Sequence, residues 1–143
     1  MFSTSDHLLN AKMLDDVLLN KMILETEQLL STFCYLKNYD CKNLYKPCFL
    51  NHPCQKWLQE SNGNALWLLE QLKFYLIEYK NRFGREHKNI LIYLERFMVD
   101  GSDLFEEITP FVGCFGNSGC QNYFDYYNWK KTKYKTIHRY TRY

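Results

Sequence analysis

The chain has 143 residues, the size of one domain, and can bury a core without disulfide or metal staples. With 46% hydrophobic and 24% charged residues its composition is globular, which excludes a disordered or fibrous protein. No apolar run approaches the ~18 residues of a bilayer span, and Met1-Phe2-Ser3-Thr4-Ser5-Asp6 lacks the basic and apolar regions of a signal peptide. No membrane partner is therefore expected, and the location should be intracellular: the cytoplasm, or a host nucleus if the source is viral.

One helical turn is expected around residues 7–14. Asp15-Asp16 then resembles a helix start, because acidic residues suit the positive end of the helix dipole. From 16 to 36 the spacing predicts a long helix, with Leu18, Leu19, Met22, Ile23, Leu29, Leu30 and Phe33 on one broad face. Residues 38–51 read as a loop. Asn51-His52-Pro53 combines a cap with proline at the first helical position, and opens a short helix through Trp57 that ends at Ser61-Asn62-Gly63-Asn64. A second long helix is predicted over 65–83, with Leu66, Leu69, Leu72, Leu76, Tyr79 and Phe83 as its buried stripe and Gly84 as its stop. A further helix over 88–98 carries Leu91, Leu94 and Phe97, and 101–119 is loop-like. The expected fold is all-α: one compact domain over 1–143, of three to five helices, with an aromatic and basic C-terminal tail over 122–143.

Six cysteines, Cys34, Cys41, Cys48, Cys54, Cys114 and Cys120, include no CxxC pair. Cys48, His52 and Cys54 are zinc-ligand types, but their spacing is not that of a finger or ribbon. Free buried thiols in a reducing compartment are the expected state. No metal and no cofactor is expected.

The tail differs in character from the rest of the chain. From residue 122 onward it holds six basic residues against Asp125 alone, a net +5 in a chain of net +2, so residues 1–121 carry −3. Eight aromatics, among them Tyr126 and Tyr127, alternate with Lys130, Lys131 and the other cations. Cations neutralise phosphates and flat rings stack on bases, so this strip is suited to nucleic acid.

Glu25 stands at the edge of the apolar face of the first long helix, near Leu18, Met22 and Leu29. A carboxylate at such an edge is partly desolvated, which suits it to general acid–base work. It is equally placed for an i,i+4 ion pair with Lys21 on the flank of an ordinary core helix.

These residues belong to a wider pattern. Ala11-Lys12-Met13-Leu14-Asp15-Asp16, then Leu19, Lys21, Glu25-Thr26 and Gln28-Leu29-Leu30, resemble the opening of the pyrimidine-dimer DNA glycosylase (endonuclease V) superfamily, in its phage and giant-virus branch. Asn51-His52-Pro53 with Trp57, Glu78-Tyr79 with Arg82-Phe83-Gly84-Arg85 and His87-Lys88, and Tyr123 with Tyr126-Tyr127 resemble its later motifs in the same order. The resemblance implies a helical glycosylase and abasic-site lyase acting on damaged or distorted duplex DNA. An amine attacks C1′ of the damaged nucleotide to give a Schiff base, and β-elimination cuts the strand. It assigns Glu25 to stabilising the sugar cation and moving protons. The Met1 amine is the expected nucleophile, with Lys21 as the alternative. Arg82, Arg85 and His87 are expected on the phosphate side of the cleft, and Tyr126, Tyr127, Lys130 and Lys131 on the strand. Leu18 stands where that family carries His or Arg, and Phe2 is a bulky second residue. A relative that binds nucleic acid without chemistry, and a protein-interaction factor, are the alternatives. Salt dependence separates nucleic-acid contacts from protein contacts.

Overall fold

A computed structural model of the chain describes residues 6–98, 108–110 and 125. Among these are five helices and no strand: α1 (His7–Lys12), α2 (Asp16–Leu36), α3 (Pro53–Glu60), α4 (Asn62–Phe83) and α5 (Leu91–Met98). None is long and apolar enough to cross a membrane. The all-α expectation therefore holds, and the 122–143 tail lies outside the described residues apart from Asp125.

The helix ends follow from local chemistry. Asp6 caps α1 through the Leu9 N–H, and Asp15 caps α2 through the Leu18 N–H. Asn38, at φ +60°, supplies the left-handed residue that ends α2. Gly84, at φ +68°, does the same for α4, and its N–H closes on the Lys80 carbonyl. Residues 62–64 do not separate two helices as expected. Ser61 is extended (φ −159°, ψ 138°) and serves as both the C-cap of α3 and the N-cap of α4, its hydroxyl accepting from the Gly63 N–H. Asn64 is buried and donates to the Trp57 carbonyl, which makes the corner tight enough for α4 to begin at Asn62. At the other end, α5 starts at Leu91 because Asn89 caps the Leu91 N–H.

Helix α4 is the centre of the fold and packs against α1, α2, α3 and α5, while α2 also touches α3 and α5. With neighbours on several sides, α4 buries more than the predicted stripe: Trp67, Leu68 and Tyr75 are buried, and Phe83 is 37% exposed. Leu19, Met22, Ile23, Leu29, Leu30 and Phe33 of α2 are buried as expected, with Leu18 packed at the margin. Trp57 is fully buried and meets Trp67 edge to face at 6.1 Å.

Two polar networks fix the elements around α4. His7 lies against Trp67 and Phe74, and Gln71 accepts from Asn10 Nδ2 while donating to the His7 carbonyl, so α1 is locked onto α4. Residues 108–110 cross the α3–α4 corner: the Thr109 N–H donates to Asn64 Oδ1, and Trp57 Nε1 donates to the Thr109 carbonyl.

Candidate functional site

The loop between α2 and α3 is held to α2 by buried hydroxyls. Thr32 Oγ1 donates to the Cys48 carbonyl and accepts from the Cys48 N–H, and Ser31 Oγ accepts from the Tyr45 N–H. Gln55 Nε2 of α3 donates to the Leu29 carbonyl. These bonds account for polar residues on the inner side of α2. They also bring the end of the loop over the helix at Glu25.

There the loop turns sharply. The His52 N–H donates to the Phe49 carbonyl, and Phe49 takes a left-handed backbone at φ +55°. For a residue with a Cβ this conformation costs about 1–2 kcal/mol, and such strain persists where the surroundings require it. The turn sets the Phe49 ring 5.8 Å from the His52 ring, edge to face. Glu25, Leu29, Phe49 and His52 together line a surface pocket of about 180 Å³, part of it open to solvent.

The pocket holds two titratable groups with different partners. Glu25 is 29% exposed and lies 3.8 Å from Lys21 Nζ, itself 53% exposed, at the outer limit of an ion pair. An exposed pair at that distance contributes little to stability. His52 Nδ1 accepts from the Cys54 N–H at 3.0 Å and so caps α3. That bond requires an unprotonated Nδ1, so the neutral ring carries its hydrogen on Nε2. Burial pushes the His52 pKa down, and the negative charge of Glu25 opposes the shift. The hydroxyls of Tyr75 (α4) and Thr26 (α2) are fully buried and have no hydrogen-bond partner among the described residues. Burial drives the Tyr75 pKa up, with the Cys54 and Glu25 charges adding to it.

Arg82, Arg85 and His87 do not line this pocket. Arg82 is the centre of a buried ion-pair cluster. Its side chain is 2% exposed, Nε donates to Glu78 and Nη1 to Asp16, and Nη2 reaches the Ala11 and Lys12 carbonyls. A guanidinium so engaged joins the α1–α2 turn to the end of α4. Arg85 is exposed and donates to the Tyr79 hydroxyl at 3.3 Å. His87 sits edge-on to Tyr79, with Nε2 2.7 Å from Asn20 Oδ1. Five residues of α-helix turn the side chain by about 140°, so Asn20, and with it His87, lies on a different flank of α2 from Glu25. Met1, Tyr126, Tyr127, Lys130 and Lys131 lie outside the described residues.

Two features were absent from the sequence reading. His52, expected as part of a cap and of the Asn51-His52-Pro53 motif and weighed as a zinc-ligand type, lines the Glu25 pocket. Glu27 is 1% exposed, neither carboxylate oxygen is hydrogen-bonded, and burial pushes its pKa up to about 7. The Ile90 backbone opposes the shift, burial being the larger effect. Its place between Ile23 and Leu30, one turn from each, was the available signal.

Among the described residues no group of three or more His, Cys, Asp or Glu side chains is arranged for a metal. Cys34, Cys41, Cys48 and Cys54 are free thiols, with Cys34 pushed up to about 12 by burial and, secondarily, by Cys41. Comparison with family models, with curated proteins and with solved structures finds no match.

Proposed function

We propose that the chain is a DNA N-glycosylase with abasic-site lyase activity, working from the Glu25 pocket through a Schiff base. The observation that carries the reading is convergence. Glu25-Thr26 and Asn51-His52-Pro53 belong to separate motifs of the resemblance, and Glu25 and His52 line one pocket.

In this mechanism the Met1 amine attacks C1′ through its lone pair as the C1′–N bond to the base breaks and the base departs, Glu25 stabilises the positive charge that develops on the sugar, and the C1′–O4′ bond then opens to the imine with a proton taken up by O4′. Glu25 then moves the protons of imine formation and β-elimination, in which the C3′–O bond breaks. Lys21 is the less suitable nucleophile, because its Nζ is already paired with Glu25. The basic and aromatic tail supplies phosphate and base contacts, and the target nucleotide leaves the stack so that its sugar becomes accessible.

A second reading, a nucleic-acid-binding relative without chemistry, is favoured by one finding. Leu18 packs against the core and Arg82 is buried, so two polar groups of the family pattern are lacking at the pocket. Strand cleavage of abasic duplex DNA separates the two. The enzyme reading expects nicking that falls at least a hundredfold in Glu25→Gln with thermal stability unchanged. Equal strand breakage with and without the protein excludes it.

A further inference from the structure

Glu27 takes no part in the chemistry above, yet it is a carboxylate set in the core. It is 1% exposed, and neither oxygen has a hydrogen-bond partner among the described residues. On α2 it meets the backbone at Ile90, where the chain enters α5. Burial without a partner penalises the charged form of a carboxylate far more than the neutral form.

The groups on the surrounding elements leave that charge uncompensated. Tyr45 of the loop, whose N–H donates to Ser31 Oγ on α2, feels the Glu27 charge and is not a cation. On α4, Lys73 is engaged by Glu70 and Glu95, and Lys80 by Glu86. Of the titratable side chains of α5, Tyr93 and Glu95 bring no positive charge and Arg96 is exposed, as is Lys88 ahead of the helix.

The element beside Glu27 is thinly held. Helix α5 has eight residues, fewer than the roughly 12 at which an isolated helix persists in water, so it stays helical by being docked. Leu94 is fully buried, Ile90 and Leu91 pack at the margin of the core, and Ile92 is 71% exposed. The polar ties are the half-exposed Lys73–Glu95 pair at 3.2 Å and the His87–Asn20 contact at 2.7 Å. Residues 84–90, which join α5 to α4, form no helix.

We propose that Glu27 is a proton-controlled latch for α5: with Glu27 neutral the helix stays docked on α2 and α4, and loss of the proton shifts it towards a detached form in which the carboxylate reaches water. Detaching one short helix hydrates the charge and leaves the packing of α1 to α4 in place. The proton goes to solvent and no covalent bond between heavy atoms changes. Burial pushes the Glu27 pKa from 4.5 to about 7, so the docked form is favoured in acid and loses that advantage as pH rises to about 7. The latch stands apart from the glycosylase reading and does not depend on it.

Hydrogen exchange of the full chain, followed by mass spectrometry at pH 5.5 and pH 8, tests it, with labelling times scaled to the intrinsic exchange rate at each pH. Glu27→Gln removes the titration, and Glu27→Leu removes both the titration and the polar group, so either variant serves as the reference if the other fails to fold. Relative to the reference, protection of the amides in 91–98 of the wild type is expected to fall at least tenfold between pH 5.5 and pH 8. At pH 8 those amides should exchange well ahead of the buried amides of α4, as a local opening requires. A wild type that keeps the same ratio to the reference at both pH values overturns the proposal. So does exchange of 91–98 only in step with α4, because the charge would then act on the whole fold and not on α5.

Discussion

Glu27 should make the stability of this protein fall as pH rises through neutrality. Its carboxylate is buried between α2 and the start of α5, its oxygens are unpartnered, and its pKa is pushed from 4.5 to about 7 by burial. Tyr45 faces it from the loop, and its own pKa rises through burial and, less, through the Glu27 charge. An acid whose folded pKa lies above its unfolded value binds more protons when folded. Its contribution is therefore complete below pH 4.5 and is lost as pH rises to about 7. The gap between those values corresponds to roughly 3 kcal/mol. Glu27→Gln removes the titration while nearly conserving shape. Urea unfolding of both proteins from pH 4 to 8 measures the effect. The stability of the wild type relative to the variant should fall by roughly 3 kcal/mol across that range, which is about 1–2 M in the urea midpoint. Parallel curves for the two proteins would refute the reasoning, because they would mean that Glu27 titrates alike in the folded and unfolded chains.

Further predictions follow from single contacts. Arg82→Ala strands the carboxylates of Asp16 and Glu78 and should lower stability by about 3–5 kcal/mol in chemical unfolding; a loss below 1 kcal/mol would show that the cluster is not held as described. Gly84→Ala places a Cβ at φ +68° and should lower the melting temperature by an amount corresponding to about 1 kcal/mol. His52→Ala should cost about 1 kcal/mol through the lost cap, whereas His52→Asn should cost little, as thermal melting would show. Because the depressed His52 pKa favours the neutral ring, its share of stability is present above pH 6.5 and is lost in acid, opposite in sign to Glu27. Unfolding of His52→Asn, which lacks the ring, measured over the same pH range should show that acid loss reduced.

The long helices were legible in the sequence because their burial follows a single period. For α2, Leu19 to Phe33 mark one face, and for α4 the stop at Gly84 is local chemistry. The Ser61 corner was not legible: Asn62, Gly63 and Asn64 are turn residues by composition, and only the buried bonds of Asn64 make them helical. The ion pairing of Arg82 was not legible for a related reason, since its partner Asp16 is 66 residues away and packing alone brings the two together. At the site, Glu25 was visible as a carboxylate beside apolar neighbours. The part played by His52 depends on how the loop folds over α2, which Thr32 and Ser31 impose through backbone bonds that have no sequence period.

The central claim is that an amine of this chain forms an imine with a DNA sugar under the control of Glu25. Borohydride trapping on abasic duplex DNA, with Glu25→Gln alongside, tests it most directly. The account predicts a covalent protein–DNA adduct that maps to the Met1 amine and is strongly reduced in the variant. Absence of an adduct, with salt-sensitive DNA binding intact, would contradict it and leave a binding protein in place of an enzyme.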